Sequence, residues 1–225
     1  VGGFLHGHNL YFWIFLFFGF YEASAKQIAL TFDDAPVDSS AHFQSLKRTA
    51  ELIKKLQELK VPSAFVFANP CKNQGRSLQQ LELYKKAGHR IGNHTCSHPR
   101  LDEIGYRRFA KDVLRADQML NPLMGHEKFF RFPYLNEGSD LKVRNKMRTW
   151  LRSHGYRHGA VSIDNDDYIF SWALNQAKAT GKDIPDAQVR QLFVEHIVGA
   201  ADFYNQLAIE TLGRSPKHVL LLHEM

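Results

Sequence analysis

Cysteine is scarce in this chain of 225 residues: Cys71 and Cys96 are the only two. Two thiols are too few for the disulfide framework of small secreted domains, so a hydrophobic core must hold the fold. A single bridge stays open, because spacing along a chain does not decide whether two thiols meet in space. Dense blocks of Lys or Arg are also missing, although the formal net charge is +6 and the pI about 9.3. The basic residues are spread over prospective helix faces. That argues against a nucleic-acid stripe, and a modest positive charge would also suit an anionic envelope or polysaccharide. No internal repeat, low-complexity tract or Pro/Gly-rich linker divides residues 26–225. The composition, 44% hydrophobic and 23% charged, is that of a globular chain with one sizeable core.

Long apolar runs are nearly absent as well. The exception is Leu10 to Tyr21, LYFWIFLFFGFY. It is shorter than the ~20 residues of a membrane span and suits the core of a signal peptide. Ala23-Ser24-Ala25 follows it as a cleavage pattern, while the flank before it carries only His6 and His8 in place of Lys or Arg. Residues 1–25 are therefore expected to be a signal peptide or N-terminal anchor and 26–225 the single domain that carries the function. The expected location is outside the cytoplasm, whether periplasmic, secreted or attached to the envelope, with no stable membrane insertion after signal cleavage.

From Gln27 onward short apolar runs alternate with amphipathic ones. Strands are expected at 28–32, 64–68, 89–93, 129–132, 160–163 and 218–222, near-continuous in apolar residues as in strands covered on both faces. Helical stripes run through Leu46, Ala50, Ile53, Leu56 and Leu59, and through Phe109, Val113, Ala116 and Leu120. The stretch from Asp164 to His218 is long enough for two helices, one near 168–180 and a longer one over 186–212 ending at Gly213. Repeated βα units predict a parallel sheet, open or closed into a barrel.

Five of these runs lead into polar groups: Asp33-Asp34, His94 with His98, Arg131, Asp164 with Asp167, and His223. In parallel α/β architectures the C-terminal strand ends form the active face, so five such endings suggest one constellation. Two imidazoles four residues apart, joined by a carboxylate, make a ligand set for a divalent metal that leaves positions open. One carboxylate of Asp33-Asp34 would bind the metal and the other would take a proton from an activated water. Two adjacent carboxylates repel unless cations stand nearby; the metal and Arg131 would supply them. Cys96, midway between the histidines, is expected to point elsewhere and pack. Gly92, just before them, would let the strand end pass close to its neighbour.

TFDDAP at 31–36, HTCSH at 94–98, RFPY at 131–134, DNDDY at 164–168 and LLLH at 220–223 resemble, in order, the five motifs of the polysaccharide deacetylases, the NodB homology domain of carbohydrate esterase family 4 type. The resemblance covers Ile28 to His223. It implies a distorted (β/α) barrel of parallel strands, seven-stranded, and incomplete at its C-terminal end because the family domain continues past its last motif. It implies Asp33 as catalytic base, Asp34, His94 and His98 as metal ligands, and Arg131 as the residue orienting Asp33. The Tyr134 backbone N–H would serve the oxyanion, Leu220 would line the acetyl pocket, His223 would be the general acid and Asp164 would tune it. The cofactor is expected to be one divalent ion, zinc ahead of cobalt or nickel, and the partner an N-acetylated glycan, peptidoglycan- or chitin-like, with no nucleic acid. Tyr168 stands where the family usually has Trp, and Trp172 lies one helical turn on.

Other readings of the same residues are an O-acetyl xylan esterase, a small-amide hydrolase, and a glycan-binding homologue without turnover, which would be expected to lack Asp33, a ligand or His223. An iron oxygenase shares the His/His/carboxylate set but has no use for Asp33 with Arg131 or for a late His.

Overall fold

Strands and helices alternate along the computed structural model, which describes residues 27–37, 39, 44–71, 76–182 and 184–224. The segment expected to be a signal peptide or anchor lies outside the described residues. Helices α1 (Ser45–Glu58), α2 (Arg76–Lys86), α3 (Leu101–Leu120), α4 (Leu141–Ser153), α5 (Tyr168–Ala179) and α6 (Asp186–Leu212) are interleaved with six strands. These are β1 (Ile28–Ala35), β2 (Phe65–Ala68), β3 (Arg90–Asn93), β4 (Lys128–Phe130), β5 (Tyr156–His158) and β6 (His218–His223). All pair in parallel in the order β5-β4-β3-β2-β1-β6. The architecture is α/β with a curled sheet. Among the described residues it has six strands rather than the expected seven.

The expected strand at 160–163 is displaced. Residues 156–158 pair with β4 instead, and Ile163 makes one parallel bridge to Leu220 on the free edge of β6. The Ile163 and Leu221 N–H groups exchange with the Val219 and Ile163 carbonyls at 3.0 and 3.1 Å. One short segment thus meets both edges of the curl and draws them together. β5 escaped notice because only Tyr156 of Tyr156-Arg157-His158 is buried, so there is no apolar run.

Phe67 fills the space between the middle strands. A Cβ on Gly92 would come within 2.7 Å of its ring, so the expected close approach is real. The guanidinium carbon of Arg131 lies 4.0 Å from the centre of the same ring. On the helix side, Val66, Ile91 and Phe130 pack with Phe109, Val113 and Ala116 of the expected α3 stripe. The α1 stripe is rotated from expectation. Thr49, Ile53 and Leu56 are buried, whereas Leu46 and Leu59 are exposed. The reason is polar: Thr49 donates to Glu224, which also accepts from the Tyr84 hydroxyl at 2.8 Å and the Val37 N–H at 3.0 Å. This buried carboxylate anchors the strand end just past His223. Helix α6 matches its expected span and ends at Gly213 in left-handed backbone, φ 69°. Among the described residues no helix is long and apolar enough to cross a membrane.

Candidate active site

Neighbours on a strand normally face opposite ways, yet Asp33 and Asp34 line the same cavity. A bulge explains it. Between Phe32 and Ala35, β1 advances three residues while β2 advances two, from Val66 to Ala68, and Asp34 takes φ 62°. Asp33 is buried and accepts from Arg131 Nη1 at 2.6 Å. The same Nη1 donates to Thr31 Oγ1 at 2.8 Å and Nε donates to the Gly159 carbonyl at 2.8 Å. Burial pushes the Asp33 carboxyl up to about 6, against the charge and hydrogen bond of Arg131, which pull it down.

His94 and His98 follow β3. His94 is buried, and its Nδ1 donates to the Arg131 carbonyl at 2.8 Å, which leaves Nε2 with its lone pair facing the cavity. That Nε2 lies 3.8 Å from Asp34 Oδ1, and His98 Nε2 lies 3.1 Å from the same oxygen. One ligand atom from each of Asp34, His94 and His98 falls within 4.8 Å of the others. The donor set and the fixed tautomer fit a divalent ion with positions to spare. Cys96 is no ligand: it is buried and bonded to Cys71, with Cα atoms 5.0 Å apart.

His223 ends β6 and lines the cavity beside Asp33. Its carboxylate partner is Asp167, not Asp164. Nδ1 donates to Asp167 Oδ1 at 2.6 Å and the His223 N–H donates to Oδ2 at 2.7 Å. Burial alone would lower the imidazole pKa; the hydrogen bond and charge of Asp167, with the charges of Asp33 and Asp34, outweigh it and raise it above the usual value. Asp167 is fully buried at the start of α5, and its side chain makes no cap hydrogen bond there because His223 takes both oxygens. Asp164 also lines the cavity, but accepts from its neighbour Asn165 N–H at 2.9 Å; burial raises its pKa. A second correction concerns the pocket wall. Leu221, not Leu220, lines the cavity. Strand alternation places Leu221 on the same side as His223 and turns Leu220 to the other face of the sheet.

The cavity, of about 540 Å³, has one aromatic wall in which the Tyr134 ring lies 4.4 Å from His98 and the Arg100 guanidinium 4.1 Å from Tyr134. Tyr134 sits in a tight turn at φ 58° whose hydrogen bonds come from Leu135 and Asn136, not from its own N–H. Tyr168 also lines the cavity, its ring 5.9 Å from His223; Trp172, which could have taken the place of the family Trp, is exposed one turn further along α5 and does not line the cavity.

The polysaccharide deacetylase family model matches residues 21–159. The chain belongs to that family. It is 30% identical over 143 residues to a peptidoglycan-N-acetylglucosamine deacetylase of Bacillus cereus, covering 63% of this chain and 46% of that protein. It is 29% identical over 166 residues to chitin deacetylase 2 of Saccharomyces cerevisiae, covering 72% of this chain and 45% of that one. The chain thus spans about half the length of these relatives. A solved polysaccharide deacetylase of Bacillus cereus superposes with a TM-score of 0.62 at 20% identity, over 88% of this chain and 79% of that one, which shows the shared fold. This family member keeps a metal-capable His/Asp set and carries Tyr168 in its cavity wall.

Proposed function

We propose that the protein hydrolyses the N-acetyl group of amino-sugar units in a polysaccharide or oligosaccharide, releasing acetate and leaving a free amine. One observation carries the reading: Asp33, the Asp34/His94/His98 set and His223, itself held by the buried Asp167, all line one cavity. A divalent ion held by Asp34, His94 and His98, zinc in this reading, would act as a Lewis acid toward the acetamide carbonyl. Asp33, ionised and steadied by Arg131, takes the proton of the attacking water. The Tyr134 N–H donates to the carbonyl oxygen as it gains charge, a contact of a kind worth ~2.7–4 kcal/mol. His223 enters protonated, held so by Asp167, and gives its proton to the departing nitrogen. The exposed rings of Tyr134 and Tyr168 in the cavity lining offer apolar surface for sugar rings. The Cys71–Cys96 bond supports an oxidising, exported location.

The test is acetate release from chitin oligomers, peptidoglycan and acetylated xylan, with and without chelator, beside Asp33→Asn. Chelator-sensitive release from an N-acetylated glycan, lost in the variant, supports the reading. Release from xylan alone replaces it with an O-acetyl esterase. No release from any substrate by a metal-loaded protein rejects it in favour of a small-amide hydrolase or a glycan-binding protein.

A further inference from the structure

The stretch from His94 to His98 is a short arc with an awkward backbone. Thr95 takes φ 71° and His98 φ 59°, left-handed values that side-chain-bearing residues rarely adopt and β-branched ones least of all. Such conformations persist only where their surroundings over-determine them. Inside the arc, Thr95 N–H donates to Asn93 Oδ1 at 2.8 Å and His98 N–H to Thr95 Oγ1 at 3.0 Å. Two outside anchors hold its middle. Asp112, buried on α3, accepts the N–H groups of Cys96 and Ser97 on one oxygen, both at 2.9 Å, and the Ser97 hydroxyl on the other at 3.0 Å. The Cys71–Cys96 bond ties the same residue to the chain leaving β2.

We propose that Asp112 is a positioning residue for the His94 and His98 imidazoles, with the disulfide as its second anchor, and that the two together set the affinity for the divalent ion. Ligand nitrogens must come within about 2.0–2.1 Å of a zinc ion, so small shifts of the arc matter. Neither anchor touches the ligand atoms. Both act through the main chain between the ligands, and α3 brings Asp112 from outside the motif. This rests on the reading that Asp34, His94 and His98 bind a metal.

The experiment titrates Zn²⁺, and separately Co²⁺ followed by its visible absorption, into the metal-free protein, with the melting temperature of each metal-free variant as the control for folding. Asp112→Ala is expected to weaken binding about 10–100-fold, the range for groups that orient metal ligands. Ser97→Ala and the double variant Cys71→Ala/Cys96→Ala should weaken it by smaller factors. Asp112→Asn, whose amide oxygen still accepts both N–H groups, should recover most of the loss. If wild type binds no metal, the triad reading fails and this inference with it. If wild type binds and the folded variants match its affinity, the triad stands and the positioning role is overturned. Should Asp112→Ala fail to fold, Ser97→Ala and the disulfide variant decide in the same way.

Discussion

Asp33 and His223 are register partners on adjacent parallel strands, β1 and β6. Their side chains therefore reach the cavity side by side, one as carboxylate and one as imidazole. The Asp33 carboxyl is pushed up to about 6 and the imidazole is raised above its usual value. Burial and neighbours thus move both groups upward, and turnover needs Asp33 ionised while His223 still keeps its proton. A bell-shaped pH profile of kcat/KM is expected, and Asp33→Asn should lower kcat by roughly 10²–10⁴-fold while the ion still binds.

Asp167 sets the alkaline side of that profile. Its charge and hydrogen bonds raise the His223 pKa, so Asp167→Asn should lower it. His223 would then lose its proton at lower pH, and the alkaline limb should move down. Asp164→Asn leaves the hydrogen-bonded pair intact and should move that limb less. An unmoved limb in Asp167→Asn would return the tuning role to Asp164.

Arg131 acts on the acid side. Its charge and hydrogen bond oppose the effect of burial on Asp33, so Arg131→Met should raise the Asp33 pKa further and shift the acid limb upward. The variant also leaves a buried carboxylate without its cation, a change that typically costs about 3–5 kcal/mol. Denaturant unfolding at neutral pH reads the second effect, and the pH profile reads the first.

Leu220 and Leu221 are equally buried, so alanine at either costs stability, and the kinetics should tell them apart. Leu220→Ala removes a core side chain and is expected to cost about 2–5 kcal/mol of stability with little change in KM. Leu221→Ala opens the cavity wall and should change kinetics on acetylated substrates relative to bulkier acyl groups.

Gly92→Ala drives a methyl into the Phe67 ring. Overpacking of this kind costs about 1–3 kcal/mol. Because Arg131 rests on that ring, the acid limb should shift together with the melting temperature.

Much of this is legible in the amino-acid sequence. The five polar strand ends converge because parallel strands share a C-terminal face, and the α5 and α6 spans follow from periodicity and Gly213. Leu220 was an error of phase: strand alternation from His223 selects Leu221. Asp167 is harder, since Asp164, Asp166 and Asp167 all lie in one turn and only the fold shows which carboxylate reaches the imidazole. Three features left no local trace. The bulge that turns Asp34 inward depends on the register with β2. β5 is mostly polar. Glu224 is buried by residues up to 187 positions away.

The segment from Tyr156 to Ile163 holds β4 at one end and β6 at the other, the latter through a single bridge. A seam so narrow should be the first part of the sheet to breathe, while β2 and β3 lie between neighbours on both sides. In hydrogen–deuterium exchange, the amides of Ile163 and Leu221 should lose protection before those of β3. The imidazole–carboxylate pair spans that seam, so partial unfolding would scatter the proton donor while the metal ligands stay assembled. Under the proposed function, a gently destabilised protein would then still bind an ion but no longer turn over substrate, two losses that instability alone would ordinarily merge.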